Sequence, residues 1–247
     1  MNTIDVNFDF QAEAYLRFEG KYEEVDSDRW SPTLQEYHRI LWSKQLPNGK
    51  MFTLEKINQN RLYHKSELGE FYLSSDRAVT TFSKKGKHII SQMPKEEFKT
   101  FSQRVDSIGG IIIWPSNRIN GKMTINGIRG FNRQIADRFD LTIECVRLYY
   151  QNDNSPLYDT FKRYDDFFSL FCNFKEYIEF FHLQDIVSDD YTTVKIATPF
   201  DDFKSSPIPN NLAEYFTYMD NTMKFVEARN ARIANLYRTS TDFPCTK

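Results

Sequence analysis

Between residues 50 and 127 apolar and polar positions alternate in short runs broken by Asn, Gly, Ser and Lys-Gly, whereas after Gly127 the apolar positions recur at spacings of three and four. A period of two belongs to strands and one of about 3.6 to helices. The chain therefore reads as α+β: a β-rich N-terminal half of antiparallel hairpins, about 43–127, packed on a mostly helical C-terminal half, 128–238, with 1–247 as a single domain. The strand segments fall at 51–57, 61–64, 70–74, 79–82 and 88–91. Gly109-Gly110 opens the strongest one, IIIW at 111–114, which Pro115 ends. The turn cluster SNRING, 116–121, hands over to a second strand at 122–126, so these two segments predict a further hairpin.

The helical signals are stronger. WSP at 30–32 suits a helix start ahead of 34–42, and Asp140 is a candidate N-cap for LTIECVRLYY. That helix is apolar except for a narrow stripe holding Glu144 and Arg147, which are close enough to pair at i and i+3. Ser155-Pro156 predicts another start, after which Leu157, Phe161, Tyr164, Phe168 and Phe171 line one face. NFKEYIEFFHLQDIV is apolar nearly all round and belongs in the centre. A break at 188–190 and a strand at 193–198 lead to the last helix, where Leu212, Tyr215, Phe216, Met219, Met223, Val226, Ile233 and Tyr237 share an arc of about 100°.

Composition adds that this core is built from rings, with 22 Phe and 14 Tyr in 247 residues. The net charge of −2, from 32 basic and 34 acidic side chains, supplies no general field for nucleic acid. The one short basic run, Lys84-Lys85-Gly86-Lys87, reads as a solvated turn. No apolar stretch approaches the ~18 residues of a membrane span, and MNTIDVNFDF lacks the basic-then-apolar order of a signal peptide. The expectation is a soluble cytoplasmic protein with no membrane association. Cys145, Cys172 and Cys245 are odd in number and widely spaced, so they read as reduced thiols, the first two buried and inert. His38, His64, His88 and His182 lack metal-ligand spacing, and no phosphate-binding glycine loop or nucleophile elbow is present. Neither a metal nor a cofactor is expected.

The candidate chemistry lies in INGIRGFNRQIADRFD, 125–140. Arg129, Arg133 and Arg138 stand between a strand and a buried helix, where backbone N–H groups and basic side chains can converge on an anion, and Gly127 and Gly130 let the backbone approach it. The competing reading is a solvated helix face, with Asp137 balancing Arg133 at i+4. Asp185 and Asn230 interrupt apolar faces and each needs a partner if buried, with Arg229 and Arg232 among the candidates; Asn230 joins Arg129, Arg133 and Arg138 as a candidate ligand-binding residue. Glu144 and Asp185 are the candidate general bases. The segment LYHKSELGEFYLSSD, 62–76, resembles the His-then-Tyr strands of ADP-ribosyltransferases only in residue order. His64 and Tyr72 are eight positions apart, which predicts a plain hairpin with the two facing each other.

The block GGIIIWPSNRINGKMTINGIRGFNRQIADRFDLTIECVRLYY, with SPLYDTFKRYDDFFSLF, FKEYIEFFHLQDIV and FVEARNARI, resembles a family of uncharacterised bacterial and phage-associated proteins of unknown function, from about residue 35 onward. The resemblance implies a single cytoplasmic domain. It also implies that Arg129, Asp137, Arg138, Asp140, Glu144, Gln184 and Asp185 fall in the family's signature elements.

Two functions follow as expectations. The first is a protein-interaction module, from a phage or mobile element, that binds a host or defence protein through aromatic surface. The second is an enzyme or sensor that holds a phosphate-bearing small molecule, nucleotide-like, through the arginine cluster.

Overall fold

Asp9, Asp26 and Ser31 each turn a loop into a helix by accepting a backbone N–H. In the computed structural model, which describes residues 3–18, 25–57 and 61–237, they start α1 (Phe10–Arg17), α2 (Ser27–Trp30) and α3 (Pro32–Trp42). Pro32 opens α3, where its missing N–H costs nothing, as the WSP signal predicts. The Ser31 hydroxyl also donates to Glu13 at 2.5 Å, tying α3 to α1.

The strands form two antiparallel units. β1 (Lys44–Gln45) pairs with β2 (Met51–Phe52), and β3 (Glu55–Ile57), β4 (Arg61–Ser66), β5 (Gly69–Arg77) and β6 (Ile111–Pro115) follow one another in a four-stranded sheet. In the β4–β5 hairpin His64 lies opposite Phe71 and Tyr63 opposite Tyr72, so His64 and Tyr72 do not face each other. His64 is instead buried, stacked 4.2 Å from Phe52 and bonded to Thr53 and Ser66.

Between β5 and β6 the chain leaves the sheet through α4 (Lys87–Ile90) and α5 (Lys95–Val105). Residues 79–82 and 88–91 are therefore not strands. The carbonyls of Thr80 and Thr81 accept from the hydroxyls of Tyr218 and Tyr215, an alternative to sheet pairing. The hairpin expected from 111–126 is also corrected. β6 is buried at every position and pairs with β5, from Leu73 opposite Pro115 to Arg77 opposite Ile111. Thr124 caps the Gly127 N–H at 3.3 Å, so the following residues form α6 (Ile125–Phe131).

In the second half, α7 (Phe139–Tyr150) has Arg138, not Asp140, at its N-cap position. The Asp140 carboxylate turns instead to Arg138 Nε, at 3.0 Å, and to the Ala197 N–H, at 2.8 Å. The segment after Pro156 breaks into α8 (Tyr158–Arg163), α9 (Asp165–Phe168) and a 3-10 turn, yet all five apolar positions expected on one face are buried. α10 (Phe174–Phe180), capped by Asn173, stops early because His182 adopts φ +53°. At 193–198 there is no strand, only an isolated bridge between Val187 and Val194. α11 (Leu212–Leu236) runs as predicted.

One cluster of buried apolar side chains extends from Ile4 to Ile233. Within it Trp42, Phe171, Tyr177 and Phe181 pack in tilted and edge-to-face contacts, with ring centres 4.9–5.4 Å apart. α11 closes this core over β6: Arg229, fully buried, donates to the carbonyls of Gly109, Ile111 and Phe181 at 2.7–3.0 Å. Among the described residues no helix is long and apolar enough to cross a membrane. Cys145 is buried, its thiol pushed up to about 12 by desolvation. Cys172 is exposed, contrary to expectation, because the chain turns at φ +57° there. Cys245 lies outside the described residues.

Candidate functional site

Two cavities organise the polar chemistry. The larger, about 710 Å³, lies between α1–α2 and the C-terminal end of β5, with the 80–85 segment completing its wall. Its lining includes Asp28, Asp76, Asp137, Lys84 and Lys85 together with Phe10, Tyr15 and Phe82.

Asp28 reaches this cleft from the first turn of α2, where the Asp26 cap holds its N–H. Its carboxylate accepts the Ser75 N–H at 2.7 Å and the Ser75 hydroxyl. Burial pushes the acid up to about 6; the Ser75 bonds oppose that rise and the charge of Asp26 adds to it. Asp76, the next residue along β5, accepts from Arg129 Nη1 at 2.6 Å. Here burial again wins, raising Asp76 to about 6 against the pull of Arg129 and with help from Asp137 and Asp28. The cleft thus holds two neighbouring carboxyl groups able to gain or lose a proton near neutrality.

Arg129 is the link between sequence expectation and cleft. It is fully buried behind Asp76, with Nε donating to Thr142 at 3.0 Å and Nη2 to the Asp137 carbonyl at 3.3 Å. The other two arginines go elsewhere. Arg133 is exposed, and Asp137, expected to balance it, lies 3.6 Å from Arg129 instead. Arg138 is buried against Asp140, Thr198 and the Pro207 carbonyl. The three guanidinium groups therefore do not converge on one anion, because two of them neutralise internal carboxylates.

Glu144 is bound by Arg147 at 2.6 Å, as predicted, and lines neither cavity. Asp185 pairs with Arg232 at 2.8 Å and lines the second cavity, about 440 Å³, with Asp140, Lys195, Asn221, Tyr218 and Phe225. Asn230 acts locally: its Oδ1 accepts the Gly109 N–H at 2.7 Å and its Nδ2 donates to the Ser107 hydroxyl at 2.7 Å. Its partners are thus the turn before β6 and not an arginine. Among the described residues no group of His, Cys, Asp and Glu is arranged to hold a metal ion.

Sequence reasoning missed Asp28 and Asp76. The available signal was the polar run SSDR ending an otherwise apolar strand, together with the acid-rich DSDRW before α3.

The profile of a family of unknown function, DUF6994, matches residues 4–233. The chain belongs to DUF6994. The match begins ahead of α1, so the helical wall that carries Asp28 lies within the DUF6994 unit, as do β5, α6 and α11. Neither a curated protein nor a solved structure matches this DUF6994 chain.

Proposed function

We propose that the protein is an enzyme or sensor for a phosphate-bearing small molecule, nucleotide-like in size, bound in the cleft between α1–α2 and β5. The observation that carries this reading is the Asp28–Asp76 carboxyl pair, raised to about 6 in a cavity of about 710 Å³. Ligand pockets occupy roughly 300–1,000 Å³. Lys84 and Lys85 supply positive charge for the phosphate. Asp76, positioned by Arg129, and Asp28 supply proton acceptors for the ligand's hydroxyl or amino groups. The arginine cluster enters the reading only through Arg129, which holds a carboxylate and not the ligand. The proposed setting is the cytoplasm, in keeping with the free thiols of Cys145 and Cys172.

The test is a thermal-shift screen against nucleotides and sugar phosphates. A ligand should raise Tm, and Lys85→Ala and Asp28→Asn should each abolish the shift. A screen without any shift, or one whose shift survives both substitutions, rejects the reading.

A second reading is supported by exposed apolar side chains: Tyr15 lines the cleft, Leu16 and Phe131 follow the lining residues Tyr15 and Gly130 in sequence, and the three are 44%, 86% and 78% exposed. It makes the protein an interaction module of phage or mobile-element origin, with a host or defence protein as partner. Leu16→Asp with Phe131→Asp should then abolish co-purification of that partner while leaving the fold intact.

A further inference from the structure

Lys44 is a half-buried lysine without a carboxylate partner among the described residues. From β1 its Nζ donates to the Phe180 carbonyl at 2.5 Å and lies 3.1 Å from Nε2 of His182. The rings of Trp42 and Phe180 flank it, with centres 5.3 and 4.6 Å away. α11 contributes more positive charge to the same neighbourhood. Arg229 lies over the Trp42 ring and, among the described residues, is held only by backbone carbonyls, while Arg232 is already paired with Asp185. From α3, His38 is bound to Trp42 and is neutral there, since burial and Arg229 push it down to about 3.

An amine that is desolvated beside a second cation loses its proton more readily than one in water. Ring faces and a carbonyl favour the cation, but they do not replace a carboxylate. Burial, with Arg229 behind it, brings Lys44 down to about 7. Burial, then the charges of Lys44, Arg229 and Arg232, bring His182 down to about 3, so its imidazole stays neutral and its Nε2 lone pair can accept a hydrogen bond from the Lys44 amine.

We propose that Lys44 is a nucleophilic amine site that takes up small aldehydes and ketones as imines, with the neutral His182 ring positioning the amine. The Nζ lone pair forms the C–N bond as the carbonyl electrons move to oxygen. Two protons leave nitrogen for that oxygen in turn through solvent, the first giving the carbinolamine and the second releasing water, and the C=N bond closes with no change in oxidation state. The site is separate from the Asp28–Asp76 cleft, so it stands whether or not that cleft binds a phosphate.

The test uses the wild-type full chain with pyridoxal as probe, trapped by borohydride and located by peptide mapping. Lys44 should be the dominant labelled lysine, with a rate that rises through about pH 7 and then levels, while the exposed lysines keep rising toward pH 10. Lys44→Arg should remove that label, and His182→Ala, checked for folding by circular dichroism, should slow it about tenfold or more by releasing the amine from its fixed position. Labelling spread over surface lysines according to exposure, or a Lys44 rate that rises only toward pH 10, overturns the proposal. Unchanged labelling in a folded His182→Ala variant overturns the positioning role of His182.

Discussion

Arg129 Nη1 and Asp76 Oδ2 meet at 2.6 Å, with the guanidinium fully buried and the carboxylate 27% exposed. This pair joins α6 to β5 and sets one wall of the cleft. Removing one partner of such a pair leaves a buried charge or polar group unsatisfied, which costs about 3–5 kcal/mol. Arg129→Met should lose stability of that order in urea unfolding, and Arg129→Met with Asp76→Asn should lose less than the two single losses combined. Additive losses would show that the two residues are not coupled.

The turn before β6 yields a sharper steric prediction. A Cβ on Gly110 would stand 1.9 Å from the Val105 carbonyl oxygen, which is backbone and cannot rotate away. On Gly109 the obstacles at 2.6 Å are Asn230 Oδ1 and the Val226 carbonyl. Gly110→Ala should therefore destabilise the protein by more than Asn230→Ala, whose cost is about 1–3 kcal/mol for the orphaned Gly109 N–H. A Gly110→Ala variant within about 0.5 kcal/mol of wild type would contradict this packing.

These two contacts also explain what could be read from the sequence. The 3.6-residue repeat of α11 and the Trp30-Ser31-Pro32 start of α3 are local signals, and both elements appear where the pattern put them. The Glu144–Arg147 pair is equally local. The pairing of β6 is not: its partner β5 lies across the insertion 78–110, and nothing in IIIWP distinguishes that partner from the adjacent segment at 122–126. The same limit hid the site. Asp28, Ser75, Asp76 and Arg129 come from three distant stretches of chain, and only the fold makes them neighbours.

Asp140 and Arg133 make a contrasting pair from within the 125–140 segment. Asp140 accepts from Arg138 and from the Ala197 N–H, so Asp140→Ala strands a buried guanidinium and frees the 197 loop. A loss of about 3–5 kcal/mol is expected, together with faster hydrogen exchange at Ala197. Arg133, exposed, should tolerate Ala within about 0.5 kcal/mol. Equal effects at the two positions would mean that Arg138 and Asp140 are solvated in solution.

The acid in the cleft can be weighed by pH. Asp28 is raised from 3.8 to about 6, so the folded state prefers its neutral form. Its contribution to stability is full below about pH 4 and is lost as pH rises through 6, a change on the order of 1–3 kcal/mol. Asp76, also raised to about 6, runs the same way. His38 and His182, lowered from 6.5 to about 3, run oppositely: their contributions are full above pH 6.5 and fade as pH falls toward 3. Between about pH 4 and 6 the folded chain keeps two carboxyl protons that the unfolded chain has released, while the unfolded chain holds two imidazole protons that the folded chain lacks. The four effects cancel there, so the wild-type profile alone conceals them. Asp28→Asn exposes the first. Its amide oxygen can accept the Ser75 N–H and its NH₂ can donate to the Ser75 hydroxyl oxygen, without a charge to desolvate. Urea unfolding at about pH 4, 6 and 8 should show this variant gaining on wild type as pH rises, by on the order of 1–3 kcal/mol in all. A difference that stays constant across that range would mean that Asp28 titrates as an ordinary surface carboxylate and could not serve as the proton acceptor of the cleft.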